Sequence, residues 1–157
     1  MNFYEKLFLA GLGSGLLPKA PGTWGSLVGL VSGMVILIFF PVETLFLLTI
    51  LIFLFGVRAT DIYEARTGIH DDSRIVVDEI AGMWLALCIT GPNTVAAALA
   101  FGFFRLYDIW KPSVIGRIDR DAPGGWGVMG DDIVAGAAAG LSAALVMEGL
   151  RQIGISL

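Results

Sequence analysis

The chain has 157 residues, 56% of them hydrophobic and only 15% charged, with a mean hydropathy of +0.81. Soluble domains sit near 45–50% apolar and about 25% charged, so the balance points to a membrane protein, read here as one domain over residues 1–157. The net charge of −4 says little about partners, but with no basic stripe and no aromatic-basic interleaving nothing suggests nucleic acid, and the one cysteine, Cys88, excludes an internal disulfide and any multi-cysteine metal site.

Near the N-terminus, residues 7–17 are apolar but interrupted by Gly11, Gly13 and Gly15, which is not the pattern of a signal peptide. Residues 11–26 read as a loop, because glycines and prolines punctuate them throughout. The glycines do not make a nucleotide fingerprint, since no strand precedes them and the spacing differs. Thr23 and Ser26 are candidates for a helix cap or for binding phosphate. A first helix is expected over 26–40, stopped by Pro41, and a second from 43 to about 67, apolar to Val57 and polar beyond it. The loop Gly68-Ile69-His70-Asp71-Asp72 follows, where Asp72 or Ser73 is expected to cap a third helix carrying Asp78 and Glu79. Gly91-Pro92-Asn93 breaks that helix; a fourth spans 94–111 and a fifth 131–149. Gly124, Gly125, Gly127 and Gly130 read as a turning loop before the fifth helix.

No useful β-alternation appears, so the fold class is all-α: a compact bundle of about five helices, embedded in a membrane. Apolar runs such as 27–40 and 133–147 fall short of the roughly 20 residues of a full crossing, which keeps a soluble helical domain as the alternative. Helices joined by short turns alternate in direction. That alternation gathers nine of the ten Lys and Arg residues on one side and leaves only Arg151 on the other. The positive-inside rule then turns the charged side toward the cytoplasm.

Acids also gather on that side. An ionised Asp at a helix centre in lipid costs about 2.5–3.5 kcal/mol even on a lenient scale, so Asp78, Glu79, Asp108, Asp131 and Asp132 must face one another, water or a cation. Two helices repeat one pattern, an acidic pair followed by a small residue: Asp78-Glu79 with Gly82, and Asp131-Asp132 with Ala135. Carboxylates without cysteine favour a hard cation, Mg²⁺ or Mn²⁺, over zinc. Arg105 and Lys111 add the positive charge that a phosphate dianion needs. The plainer reading makes Asp108 and Lys111 an ion pair and Asp131 or Asp132 a helix cap. His70 reads as a loop residue, Cys88 as a small buried hydrophobe, and Asp61, Glu64, Asp119 and Asp121 as solvated.

Five stretches in order resemble the phosphatidylglycerophosphatase A family. They are Gly13-Ser14-Gly15-Leu16 with Pro21-Gly22-Thr23-Trp24-Gly25-Ser26; Gly68-Ile69-His70-Asp71; Asp78-Glu79 with Gly82-Met83-Trp84; Phe104-Arg105 with Asp108-Ile109-Trp110-Lys111-Pro112; and Gly124-Gly125 through Asp131-Asp132 to Ala135-Gly136. Ser113-Val114 departs from the Trp-Pro that tends to follow Lys-Pro in the family. The resemblance implies a Mg²⁺-dependent, multi-pass enzyme of the bacterial inner membrane with its site toward the cytoplasm. It would hydrolyse the terminal phosphate of the phospholipid phosphatidylglycerophosphate to give phosphatidylglycerol. In that scheme Asp78, Glu79, Asp131 and Asp132 hold metal, and Arg105 and Lys111, with Thr23 and Ser26, bind the phosphate. Asp108 completes the metal shell or orients water, beside Glu79, Asp131 and Asp132 as the catalytic acids, and either water or an Asp is the nucleophile. A cation channel or transporter, a structural bundle and a soluble phosphatase of another substrate are the rival classes; the sequence sets no oligomeric state.

Overall fold

The computed structural model describes residues 1–155, and these are helical nearly throughout, with no strand among them. In order they form α1 (Phe3–Leu7), a 3-10 helix (Gly11–Leu16), α2 (Pro21–Phe39), α3 (Val42–Thr67), α4 (Val77–Thr90), α5 (Thr94–Trp110), α6 (Val114–Asp121) and α7 (Gly124–Gln152). The all-α expectation holds, while the count rises from about five to eight helical segments through the short α1, the 3-10 turn and α6.

Two helix starts lie earlier than the glycines suggested. α2 begins at Pro21, whose fixed φ and missing N–H suit the first helical position. α7 begins at Gly124, seven residues before Asp131, so the expected turning loop is helix. The physical reason is packing. A Cβ on Gly125 would strike the Val57 carbonyl of α3, and one on Gly127 the carbonyl of Ala122. Those glycines permit close approach rather than a turn. The start of α4 is corrected in the other direction: it begins at Val77, with no side-chain cap. Asp72 is unavailable for capping because Arg74 and Tyr63 take its carboxylate.

α4 is the axis of the bundle. Val77, Asp78, Ile80, Ala81, Gly82, Met83, Ala86 and Leu87 are all buried. Gly25, Gly29 and Gly33 bring α2 against Val76, Ile80 and Leu87 in step, so α2 runs alongside α4 in the same direction. On the other flank a Cβ on Gly136 would strike the Gly82 carbonyl, and Gly140 lies against Ala86, so α7 also runs parallel to α4. α5 returns antiparallel and inserts Phe104 against Gly82. α3 closes the remaining flank through Leu45, Val57 and Tyr63.

Three helices are long and apolar enough to cross a membrane: α2 with 19 residues, α3 with 26 and α7 with 29. The expectation that every span is short is therefore corrected, because α7 gains its first two turns from the glycine-rich segment. Val31, Val35, Ile38, Phe46, Leu47, Leu51, Leu54, Phe55, Leu141 and Leu145 are exposed along these helices, an apolar exterior suited to lipid. Trp24, Trp110 and Trp126 are exposed at the end of the bundle where α2 and α7 begin and α5 finishes. Tryptophan at one such level marks a membrane interface.

Candidate active site

At that same end a cavity of about 290 Å³ opens among the first turns of α2 and α4, the second and third turns of α7 and the last two turns of α5. Asp78, Glu79, Arg105, Asp108, Lys111, Asp131 and Asp132 line it together, with Asp119 from α6 and Asp71 and Ser73 from the α3–α4 connection. The parallel crossing of α4 and α7 explains the convergence. Both acidic pairs sit one turn before their small residues, and Gly82 lies against the Asp132 carbonyl and Gly136 against that of Gly82. The two pairs are thereby brought to one level.

Asp78, Glu79 and Asp132 each offer a carboxylate oxygen within 4.8 Å of the others. Oε2 of Glu79 and Oδ1 of Asp131 and Asp132 are buried without a hydrogen-bond partner. The nearby cations do not neutralise this trio. Arg105 Nη1 donates to Asp108 Oδ2 at 2.5 Å and to Ser26 Oγ at 3.1 Å. Lys111 Nζ donates to Asp131 Oδ2 at 2.8 Å and to Asp119. Buried carboxylates with orphaned oxygens and no paired base are a donor set for a hard divalent cation, and the residues fit that group.

Desolvation pulls the Lys111 ammonium down, but the hydrogen bonds to Asp119 and Asp131 outweigh it and hold the group above the ordinary lysine value. Lys111 is therefore charged wherever the protein works. Its backbone is left-handed, φ +46, and Ser113 follows at φ +49, so the chain doubles back into α6 and places Asp119 across from the ammonium. That bend is where the sequence departs from the family pattern.

Of the predicted phosphate ligands, Arg105 and Lys111 face the cavity. Ser26 is fully buried; it accepts from Arg105 and donates to the Gly22 carbonyl at 2.7 Å, so it holds the guanidinium rather than contacting the cavity. Thr23 does not line the cavity. Asp131 does, yet it is committed to Lys111 through one oxygen and stands outside the trio of Asp78, Glu79 and Asp132.

Three acids expected to be solvated have structural work. Asp119 pairs with Lys111. Asp61 accepts the Gly125 N–H at 2.8 Å, an acid at the N-terminus of α7. Glu64 accepts from the Asp71 N–H at 3.1 Å and contacts His70 at 2.8 Å, fixing the loop beside the cavity. Arg74 donates to Asp72 from its backbone N–H, Nε and Nη2, and from Nη2 to the Tyr63 hydroxyl, which itself donates to Asp72 at 2.6 Å. These contacts hold the Asp72 carboxyl well below the usual range, the hydrogen bond from Arg74 being the largest cause. A larger cavity, about 360 Å³, lies at the opposite end, where its charge is an exposed Glu148–Arg151 pair.

A family model of phosphatidylglycerophosphatase A matches residues 7–147. Over 130 residues the chain is 38% identical to a Haemophilus influenzae protein named phosphatidylglycerophosphatase A, covering 82% of this chain and 80% of that one. An Escherichia coli protein of the same name is 40% identical over 131 residues, 83% and 76% of the two chains. A Bacteroides thetaiotaomicron protein, 35% identical over 142 residues, 86% and 88% of the two chains, is provisionally named a phosphatidylinositol-3-phosphatase. No solved structure matches. With the match running from α1 into the last turns of α7, and so across every helix that lines the acidic cavity, this chain belongs to the phosphatidylglycerophosphatase A family.

Proposed function

We propose that the protein removes the terminal phosphate of phosphatidylglycerophosphate, with Mg²⁺ (or Mn²⁺) held by Asp78, Glu79 and Asp132 and approached by Asp131. The observation that carries the reading is the cavity itself: a trio of carboxylates, two of which (Glu79 and Asp132) keep an orphaned oxygen, beside Arg105 and Lys111. Acids alone make a cation site; acids with a guanidinium and an ammonium suit a phosphate monoester. When bound, the cation supplies Lewis-acid polarisation of the phosphoryl group and lowers the pKa of water.

The remaining work falls to the side chains. Arg105, locked by Ser26 and Asp108, presents a planar fork to two phosphate oxygens. Lys111 neutralises the third and exchanges Asp131 or Asp119 for it. Asp108 takes the proton of the attacking water as the new P–O bond forms. The P–O bond to the glycerol then breaks and Asp108 passes that proton to the leaving oxygen, giving the lipid alcohol and inorganic phosphate. An ion path would need polar groups along the whole depth of the bundle, whereas these gather at one end. The site faces the cytoplasm of the bacterial inner membrane by the positive-inside rule.

The test is phosphate release by purified, lipid-reconstituted protein with Mg²⁺, with EDTA, and with Asp132→Asn. Release that needs both the cation and Asp132 is expected. Equal release in EDTA removes the cation from the reading, and none from the folded wild type removes the phosphatase.

A further inference from the structure

We propose that the outer seam between α2 and α5 is the berth of the substrate's acyl chains, so that the lipid enters the site sideways from the bilayer. The proposal rests on the lipid-phosphatase reading and says which of the bundle's faces the substrate uses. The starting point is Arg105. Its guanidinium lies between two helices that otherwise pack loosely: it springs from α5, bonds Ser26 of α2 and reaches Gly22. α2 is seated far more closely on α4 than on α5. The phosphate-binding cation therefore stands at the head of a seam, not in the middle of a packed interface.

Helical geometry gives the seam its walls. Around α5, Tyr107 bonds Ser142 of α7, Phe104 packs at Gly82 of α4, and Arg105 reaches α2, which fixes the order of the faces. Beyond Arg105 on the α2 side, Gly102 lies one turn and Ala98 two turns deeper into the bundle. Ala98 is exposed, and a Cβ on Gly102 would meet nothing within 4 Å. Two small residues in succession, open to the outside, make a shallow trough. On the facing helix Leu30 and Leu37 follow Ser26 on its own face, partly buried, and the exposed Leu27 and Val31 flank them on the outer side.

The occupant follows from what the two ends of this trough demand. At the head is a phosphate site built from Arg105 and Lys111; along its length there is only hydrocarbon and space. A phosphate monoester carried on a diacylglycerol has that distribution of charge and oil. A water-soluble phosphate ester needs only the head. Lys111 also bridges two helices, α5 and α7, but those pack closely with Tyr107 bonded to Ser142 between them, so the substrate's chains take the looser α2–α5 seam.

The experiment fills the trough. Gly102→Trp and Ala98→Trp place an indole where the structure shows open space, and neither residue touches the polar cavity. Each variant is reconstituted in phosphatidylcholine vesicles and assayed on long-chain phosphatidylglycerophosphate and on its water-soluble deacylated headgroup. The expected result is a fall of roughly ten-fold or more in kcat/KM for the long-chain lipid with the headgroup rate within about two-fold of wild type. Unchanged long-chain turnover in both variants overturns the berth, and so does an equal loss on both substrates. A second measurement is independent of turnover. A phosphonate analogue of the lipid with a diazirine at mid-chain is expected to label α2 and α5; labelling concentrated on α3 overturns the proposal. If wild type hydrolyses neither substrate while the label still falls on α2 and α5, the phosphatase reading fails and the berth stands.

Discussion

Arg105 is the residue at which the two halves of the site meet, because its guanidinium is shared between an acid of its own helix and a hydroxyl of α2. Arg105→Lys keeps the charge but loses the fork, and kcat is expected to fall by about 10²–10³, as for loss of a preorganised donor. Ser26→Ala leaves the charge and the fork but frees their orientation. Losing a hydrogen bond to a charged group costs about 1.5–3 kcal/mol, so kcat/KM is expected to drop roughly ten-fold or more, with measured folding stability changed little beyond that. Asp119→Asn removes one of two acids from a half-exposed ammonium, and activity is expected to stay within a few-fold of wild type, since such exposed pairs contribute about 1 kcal/mol or less. At this scale the sequence was informative wherever charge stood in apolar surroundings, as at Asp78, Arg105 and Asp132. It was uninformative where a polar residue's partner is distant in the chain. Nothing local distinguishes Asp61, which reaches Gly125, from Asp121, which pairs with its exposed neighbour Arg120.

The elements owe their positions to glycine more than to large side chains. At the α4–α7 crossing Gly82 meets the Asp132 carbonyl and Gly136 that of Gly82, so Gly136→Ala is expected to cost about 1–3 kcal/mol through overpacking, read as a lower melting temperature in detergent, with activity lost in parallel. Gly149→Ala, where a Cβ meets nothing within 4 Å, is expected to be neutral or slightly stabilising in the same melt. The α3–α4 connection carries a pH signature. Because Arg74 holds the Asp72 carboxyl below its unfolded value near 3.9, the pair stabilises the fold above about pH 4 and loses that effect as pH falls further. Asp72→Asn is therefore expected to melt lower than wild type at pH 7 and to converge with it below about pH 4. Helix ends marked by proline were legible, as with the stop near Pro41 and the break at Gly91-Pro92. Starts hidden by glycine were not, because a glycine that permits a turn and one that permits a close crossing are the same letter.

For the whole molecule, the alternation of helices from α2 to α7 puts the site at one end of the bundle and the end of α7 at the other, and the proposed cytoplasmic site fixes what each end should meet. In a Cys88→Ala background, Arg117→Cys is expected to react with a membrane-impermeant maleimide only in inside-out vesicles, and Gln152→Cys only in intact cells from which the outer membrane has been stripped. The asymmetry of Lys and Arg gathered the charge at one end before any helix was placed; the depth of insertion was not legible, since it depends on the extra turns of α7. The shortness of α4 reaches furthest. Fourteen residues extend only about 21 Å, against the roughly 30 Å of a bilayer core, and the first turn carries Asp78 and Glu79. Such a segment has no reason to remain in lipid alone. It is sheathed by α2, which precedes it in the chain, and by α7, which follows it, so during synthesis both flanks are covered only once α7 has been made. The carboxylates therefore have no common level to meet at until α7 arrives, and a chain cut short before α7 is expected to hold no assembled acidic cavity.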